Sequence, residues 1–214
     1  MKKIYTSIIL ILFSVSAFSQ NISTLFEIMP DEQLIQIDTN RRKDMYDLKK
    51  NGKDSKMLNK LGGYSEITNL TDDYLKLQVS QNSTFEMRIL DSIQGGKILA
   101  VIKTVCAPSC DSEISFYNSV WQRIPQNEIF VKPSVKDFLL ESTLADDSLT
   151  NEIIKVADIN FLNMSFVDGK PEISVTIPFE ELLPEEEIKF IKPYIKETPL
   201  FLEWKEGRFV KKND

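Results

Sequence analysis

Hydrophobic and polar positions along this chain keep helical spacing at first and alternate later. Residues 22–38 carry apolar side chains at helical intervals, broken at Met29-Pro30-Asp31, because proline cannot continue a helix from its interior. Pro30 and Asp31 open a second short helix with Leu34, Ile35 and Ile37 as its apolar residues. A third is expected over 41–50, with Asn40 as N-cap, Met45 and Leu48 on one face, and Asn51-Gly52 as its stop. From Tyr64 the period becomes two. Leu75, Leu77 and Val79 alternate with Lys76 and Gln78, and Phe85, Met87 and Ile89 alternate with Glu86 and Arg88, so the pair reads as a β-hairpin turning at Gln81-Asn82-Ser83. A turn at Gln94-Gly95-Gly96 leads to Ile98-Leu99-Ala100-Val101-Ile102, a run without alternation that predicts a central strand covered on both faces. Strands at 114–117 and around Val120-Trp121-Gln122 follow.

The second half repeats this order loosely. Residues 135–141 and 150–157 read as short helices joined by Asp146-Asp147-Ser148. Residues 161–167 and 172–177 flank Asp168-Gly169-Lys170, and Asp-Gly suits a type I′ hairpin turn. Pro184 opens a helix carrying Ile188, Ile191 and Ile195, which Pro193 kinks or ends. A last hairpin spans 200–210. The fold class is α+β, an antiparallel sheet packed against helices, with two tandem helix-plus-four-strand halves joined edge to edge as one arrangement of it.

The first residues are of another kind. Lys2 and Lys3 precede a short apolar core over 8–13, and Ala17-Phe18-Ser19 supplies small residues for cleavage, so 1–19 reads as a secretory signal peptide. No cysteine follows that cut, which argues against a lipid anchor. The stretch is too short to span a membrane. The expected parts are therefore 1–19 (signal peptide), 20–130 (helical segment and first sheet half) and 131–214 (second α+β half), with one continuous domain as the alternative division. The mature chain is expected in the periplasm or outside the cell.

Composition narrows the chemistry. Without Lys2 and Lys3, 24 basic residues face 32 acidic ones, a net charge near −8. That balance argues against nucleic acid and anionic membranes. The chain contains no histidine. Serine–histidine and cysteine–histidine relays and histidine metal sites are thereby excluded. An enzyme would have to use carboxylates, lysine or tyrosine. Phosphate-cradling loops, a serine–lysine dyad and calcium-loop spacing are also missing from the sequence. No cofactor and no metal site is expected.

Cys106 and Cys110 are the two cysteines. In an exported protein their default state is a disulfide, here at the tight end of a hairpin where it pins strand register. A redox pair is the alternative, though the spacing is one residue longer than C-x-x-C. Among carboxylates, Glu185-Glu186-Glu187 suits a helix N-terminus, Asp146-Asp147 a solvated turn, and Asp72-Asp73 the approach to a strand. The candidate binding residues are aromatic. Tyr117, Trp121 and Trp204, with Phe209, fall at strand ends and offer a stacking platform for a sugar or partner, against the plainer reading that they fill the core.

Asn40-Arg41-Arg42-Lys43-Asp44-Met45-Tyr46-Asp47-Leu48, Leu61-Gly62-Gly63, Leu70 to Leu75, Thr104 with its Cys-x-Pro-x-Cys loop, and Asp111 to Tyr117 with Trp121 together resemble an uncharacterised family of exported proteins from Bacteroidetes-type bacteria. The resemblance covers most of the mature chain. It implies a shared fold and export, and carries no activity, cofactor or catalytic residue. The reading that follows is an exported, non-enzymatic binding protein whose sheet keeps one face open to a protein or glycan partner in the cell envelope. A carboxylate-based glycan or cell-wall hydrolase is the alternative.

Overall fold

Two helices open the structure, a computed structural model that describes residues 21–93 and 95–212. The expected signal peptide, and Gln94 of the expected turn, lie outside the described residues. Helix α1 (Ile22–Glu27) is capped by Asn21, whose side-chain oxygen accepts from the Thr24 amide. It ends short of Pro30, and the helix expected next is only a 3-10 turn, Asp31–Gln33. Helix α2 (Thr39–Lys50) begins two residues before its expected start, because Asp38 rather than Asn40 accepts the Arg41 amide. A carboxylate at that position also suits the positive end of the helix.

Arg42 ties this layer together. It is fully buried, and donates to the Met29 and Ile37 carbonyls at 2.6 and 2.9 Å and to Thr39 Oγ1 at 2.9 Å. It also pairs with Asp31 at 2.9 Å. The broken stretch between α1 and α2 leaves carbonyls without helical partners, and one planar, multi-donor side chain supplies several at once.

Among the described residues, seven antiparallel strands follow in simple meander order: β1 (Met57–Leu58), β2 (Tyr64–Leu70), β3 (Tyr74–Ser80), β4 (Ser83–Asp91), β5 (Lys97–Cys106), β6 (Cys110–Tyr117) and β7 (Arg123–Ile124). The strand expected around Trp121 lies later, at β7, because Trp121 sits in the turn before it with φ 61°. Strand β5 is covered on both faces as its unbroken apolar run requires. Leu99 and Val101 enter the core beneath α1 and α2, while Ala100 and Ile102 enter a second core on the far side. Cys106 and Cys110 are direct cross-strand partners, disulfide-bonded with Cα atoms 3.9 Å apart.

The C-terminal half supplies that second core. It contains α3 (Glu141–Leu144), α4 (Asp147–Val156), β8 (Asn163–Phe166), β9 (Glu172–Thr176), α5 (Phe179–Leu182), α6 (Glu185–Ile191), β10 (Leu200–Lys205) and β11 (Arg208–Lys211). The stretch expected as a helix over 135–141 is a 3-10 turn, Val135–Phe138, followed by α3. Asp146 is not merely a solvated turn residue; its carboxylate caps α4 through the Ser148 and Leu149 amides. Strands β8 to β11 form a second antiparallel sheet in the order β11-β10-β9-β8.

The halves do not each carry four strands, since the first sheet has seven, and the sheets are not joined edge to edge. Strand β8 instead lies across β4, β5 and β6. The sheet face expected to stay open is therefore covered: Tyr74, Ile102, Ile114 and Phe116 share one core with Leu139, Ile153, Phe166, Val175 and Phe209.

The disulfide closes only its own short loop. Replacing both cysteines with serine is expected to cost about 2 kcal/mol. It should appear as a lower urea midpoint at unchanged slope. A loss about twice as large would assign the bond a role beyond that loop.

Candidate functional site

Buried ionisable side chains are the first place to look for chemistry. Glu86 and Arg88, read from alternation as polar-face residues, are both buried. Glu86 Oε2 accepts from the Tyr74 hydroxyl at 2.8 Å and from the Phe166 amide at 3.0 Å, while Lys76 pairs with Oε1 at 3.1 Å. Arg88 donates to the Val167 carbonyl at 3.1 Å and lies over the Tyr74 ring at 4.4 Å, with Asp73 at 3.5 Å. Burial, with the Glu86 charge adding to it, pushes the Tyr74 hydroxyl far above its ordinary value, so it stays a donor. Burial pulls the Arg88 guanidinium down, against the opposing charge of Asp73.

These groups hold the two sheets together. Strand β8 is the edge of its sheet, and its outward amides, with that of Leu162 just before it, are met one by one. Leu162 donates to Asp111 Oδ1 at 3.1 Å, Met164 to Ser112 Oγ at 2.9 Å, and Phe166 to Glu86. The cluster is spent on assembly.

A groove of about 520 Å³ lies where this junction reaches the surface. Pro108, Ser109 and Cys110 of the disulfide loop form one wall, and α5, α6 and residues 195–199 form the other. Phe138, Ile177, Phe179, Ile188 and Ile195 give it an apolar lining. Glu180, Glu181 and Glu197, with Lys192 and Lys196, bring both signs of charge to it, Lys192 facing Glu180 at 3.5 Å. Ser109 Oγ is buried beside the groove with no hydrogen-bond partner among the described residues. None of these residues stands out in the sequence. They come from five separate segments, and only the cysteine loop carries a local signal.

Of the three aromatic candidates, Tyr117 and Trp121 are brought together in the core and Trp204 lies apart. Trp121 is buried and its indole N–H donates to the Leu25 carbonyl at 2.9 Å. Asn118 shapes its turn by accepting the Val120 and Gln122 amides at 3.0 Å each. Its ring packs 5.1 Å from that of Tyr117, which is also buried. Trp204 is half-buried at the far end of the second sheet, donating to the Asp91 carbonyl at 2.9 Å and meeting Phe209 edge-on. Beside it Gly207 has φ 75°, and a Cβ there would meet Ile93 at 2.9 Å, so the hairpin tip requires glycine on both counts. None of the three rings faces the groove.

The Tyr117 hydroxyl instead reaches a smaller polar pocket of about 250 Å³. There it and the Lys103 ammonium both donate to Gln33 Oε1, at 3.1 and 3.0 Å. Burial lowers the Lys103 ammonium from its ordinary value, against the pull of Glu113. Among the described residues, no group of three or more His, Cys, Asp or Glu is placed to hold a metal ion. No helix among them is long and apolar enough to cross a membrane.

The family model described as "Protein of unknown function (DUF3256)" matches residues 14–209. The chain belongs to the DUF3256 family. The match spans the helices, both sheets and the cysteine loop, so the resemblance drawn from those motifs holds. A solved domain of an uncharacterized protein from Porphyromonas gingivalis W83 is similar to this DUF3256 chain with a TM-score of 0.75 and 24% identity, covering 88% of this chain and 97% of that one. Likeness at that identity concerns the fold. No curated protein matches the chain.

The chain has only two tryptophans, and their surroundings differ. Trp204→Phe leaves Trp121, and its emission should be blue-shifted and resistant to acrylamide quenching. Trp121→Phe should leave redder, more readily quenched emission. The opposite order would place the Trp121 ring at the surface.

Proposed function

We propose that this DUF3256 protein is an exported, non-enzymatic binding protein of the cell envelope, and that its ligand lies in the groove beside the disulfide loop. Export rests on the signal-peptide pattern of residues 1–19. The groove is the observation that carries the binding reading. Its volume falls in the range of ligand sites, and it combines an apolar lining with a few charged groups of both signs. A short peptide segment with one or two apolar side chains matches that chemistry. A glycan matches it less well, because sugar recognition uses exposed aromatic faces and the Tyr117 and Trp121 rings are buried.

The hydrolase alternative would draw on Glu180, Glu181 and Glu197. A general acid at neutral pH needs a carboxyl shielded from water, and all three are exposed.

The test uses a defined probe. Fluorescence titration with 1-anilinonaphthalene-8-sulfonate should show one saturable site that Ile188→Ser weakens about tenfold, measured where circular dichroism shows the variant folded, since Ile188 also packs against the second core. Release of reducing sugar from peptidoglycan by the wild type, lost in Glu181→Gln, would replace the binding reading with the enzymatic one.

A further inference from the structure

Net charge is an average, and on this chain it conceals a basic corner. Residues 41–60 hold eight Lys or Arg against three Asp, a local +5 in a chain of net −6. Arg42 is turned into the core, while Lys43, Lys50, Lys53, Lys56 and Lys60 are exposed. Asp38 pairs with Arg41 and lies 3.8 Å from Lys60, and Glu27 lies 3.7 Å from Lys43. Among the described residues Lys53 and Lys56 have no ion-pair partner, although Asp44 and Asp47 line the same hollow as Lys53. Beside these lysines four large apolar side chains stand open to water: Ile35 at 62%, Leu58 at 54%, Leu61 at 71% and Tyr64 at 59%.

Hydrogen bonds and register make these one patch. Leu58 and Tyr64 are cross-strand partners of β1 and β2, so they share a face. Leu61 lies in the turn between those strands. The Lys60 amide donates to the Gln36 carbonyl at 2.9 Å, which brings the Ile35 loop alongside. The Lys56 ammonium sits over the Tyr64 ring at 5.1 Å, and Arg41 Nε donates to the Leu58 carbonyl at 3.2 Å. Strand β1 is the outermost of its sheet and two residues long, so among the described residues no further strand covers this corner.

We infer that this corner docks on an anionic lipid bilayer. Lysines placed around protruding apolar residues match a membrane interface: the ammonium groups meet lipid headgroups, the leucines enter the acyl boundary, and the tyrosine ring sits between. An anionic polymer would use the lysines and leave Leu58, Leu61 and Ile35 in water. The attachment is peripheral, and it is independent of the groove. It also reverses the expectation drawn from overall charge, because a membrane senses the nearest Debye length of protein surface and not the sum over the chain.

Co-sedimentation of the mature protein with phosphatidylcholine vesicles, with and without about one-third phosphatidylglycerol, tests this. Binding is expected only with the anionic vesicles, and should fall as salt rises from about 50 to about 500 mM. Lys53→Glu with Lys56→Glu should weaken it at least about 25-fold, roughly fivefold for each charge lost. Leu61→Ser should weaken it roughly tenfold. All three positions are exposed, so the variants should keep the wild-type thermal midpoint. Equal binding to neutral vesicles, no binding to anionic ones, or undiminished binding by the double variant would each overturn the proposal. Binding to single-stranded DNA that Leu61→Ser does not weaken would also overturn it, in favour of a polymer partner.

Discussion

A strand edge laid on the face of another sheet carries its backbone amides into a place without water. Much of this fold follows from how those amides are met. The outward N–H groups of Leu162, Met164 and Phe166 point away from β9, and each unpaired buried donor would cost about 1–3 kcal/mol. The first sheet answers with Asp111, Ser112 and Glu86, three acceptors on two of its strands. An edge that would otherwise invite pairing with another chain is thereby closed mainly by side chains, with one backbone bond at its start, from the Ser112 amide of β6 to the Leu162 carbonyl at 2.7 Å. Tyr74 and Lys76 in turn satisfy what is left of Glu86, and Arg88 meets the Val167 carbonyl just past β8.

That constraint also places the groove. Cys110 begins β6, and the next two residues, Asp111 and Ser112, hold the start of β8. The disulfide closes the turn that leads into the strand end on which the second sheet docks. The groove opens at the same junction, between the cysteine loop on one side and α5 and α6 on the other. Apolar burial alone would bring the two halves together; the polar contacts decide how they sit, and with that the shape of the groove.

The sequence spoke clearly wherever a pattern was local. The 74–91 hairpin, the doubly covered β5 and the place of the Asp168-Gly169 turn are all decided by neighbours within a few residues, and so is the pairing of Cys106 with Cys110. The turn is not the type I′ that Asp-Gly suggests, because Gly169 takes positive φ and Asp168 does not. It was silent where the partner lies far along the chain. Glu86 and Arg88 alternate with Phe85 and Met87 as they would on a solvated face, because a polar face buried against a backbone edge has the same composition as one in water. Arg42 reads as one more charge in a basic run, and only the broken path between α1 and α2 gives it buried carbonyls to serve. Strand β2 shows little alternation since Ser65 and Ile67 are its inward residues, and one of them is small and polar. Trp121 looks like a strand residue, yet the Asn118 turn holds it at positive φ. The groove has no sequence signature, since each of its segments contributes only a few unremarkable residues.

Amide hydrogen exchange, resolved by residue, tests the docked edge most directly. If side chains of the first sheet close β8, the Leu162, Met164 and Phe166 amides of the wild-type protein will exchange as slowly as paired amides inside β9, and Glu86→Ala will release Phe166 before the others. Rapid exchange of all three in the wild type, at the rate of an open edge strand, would contradict the account.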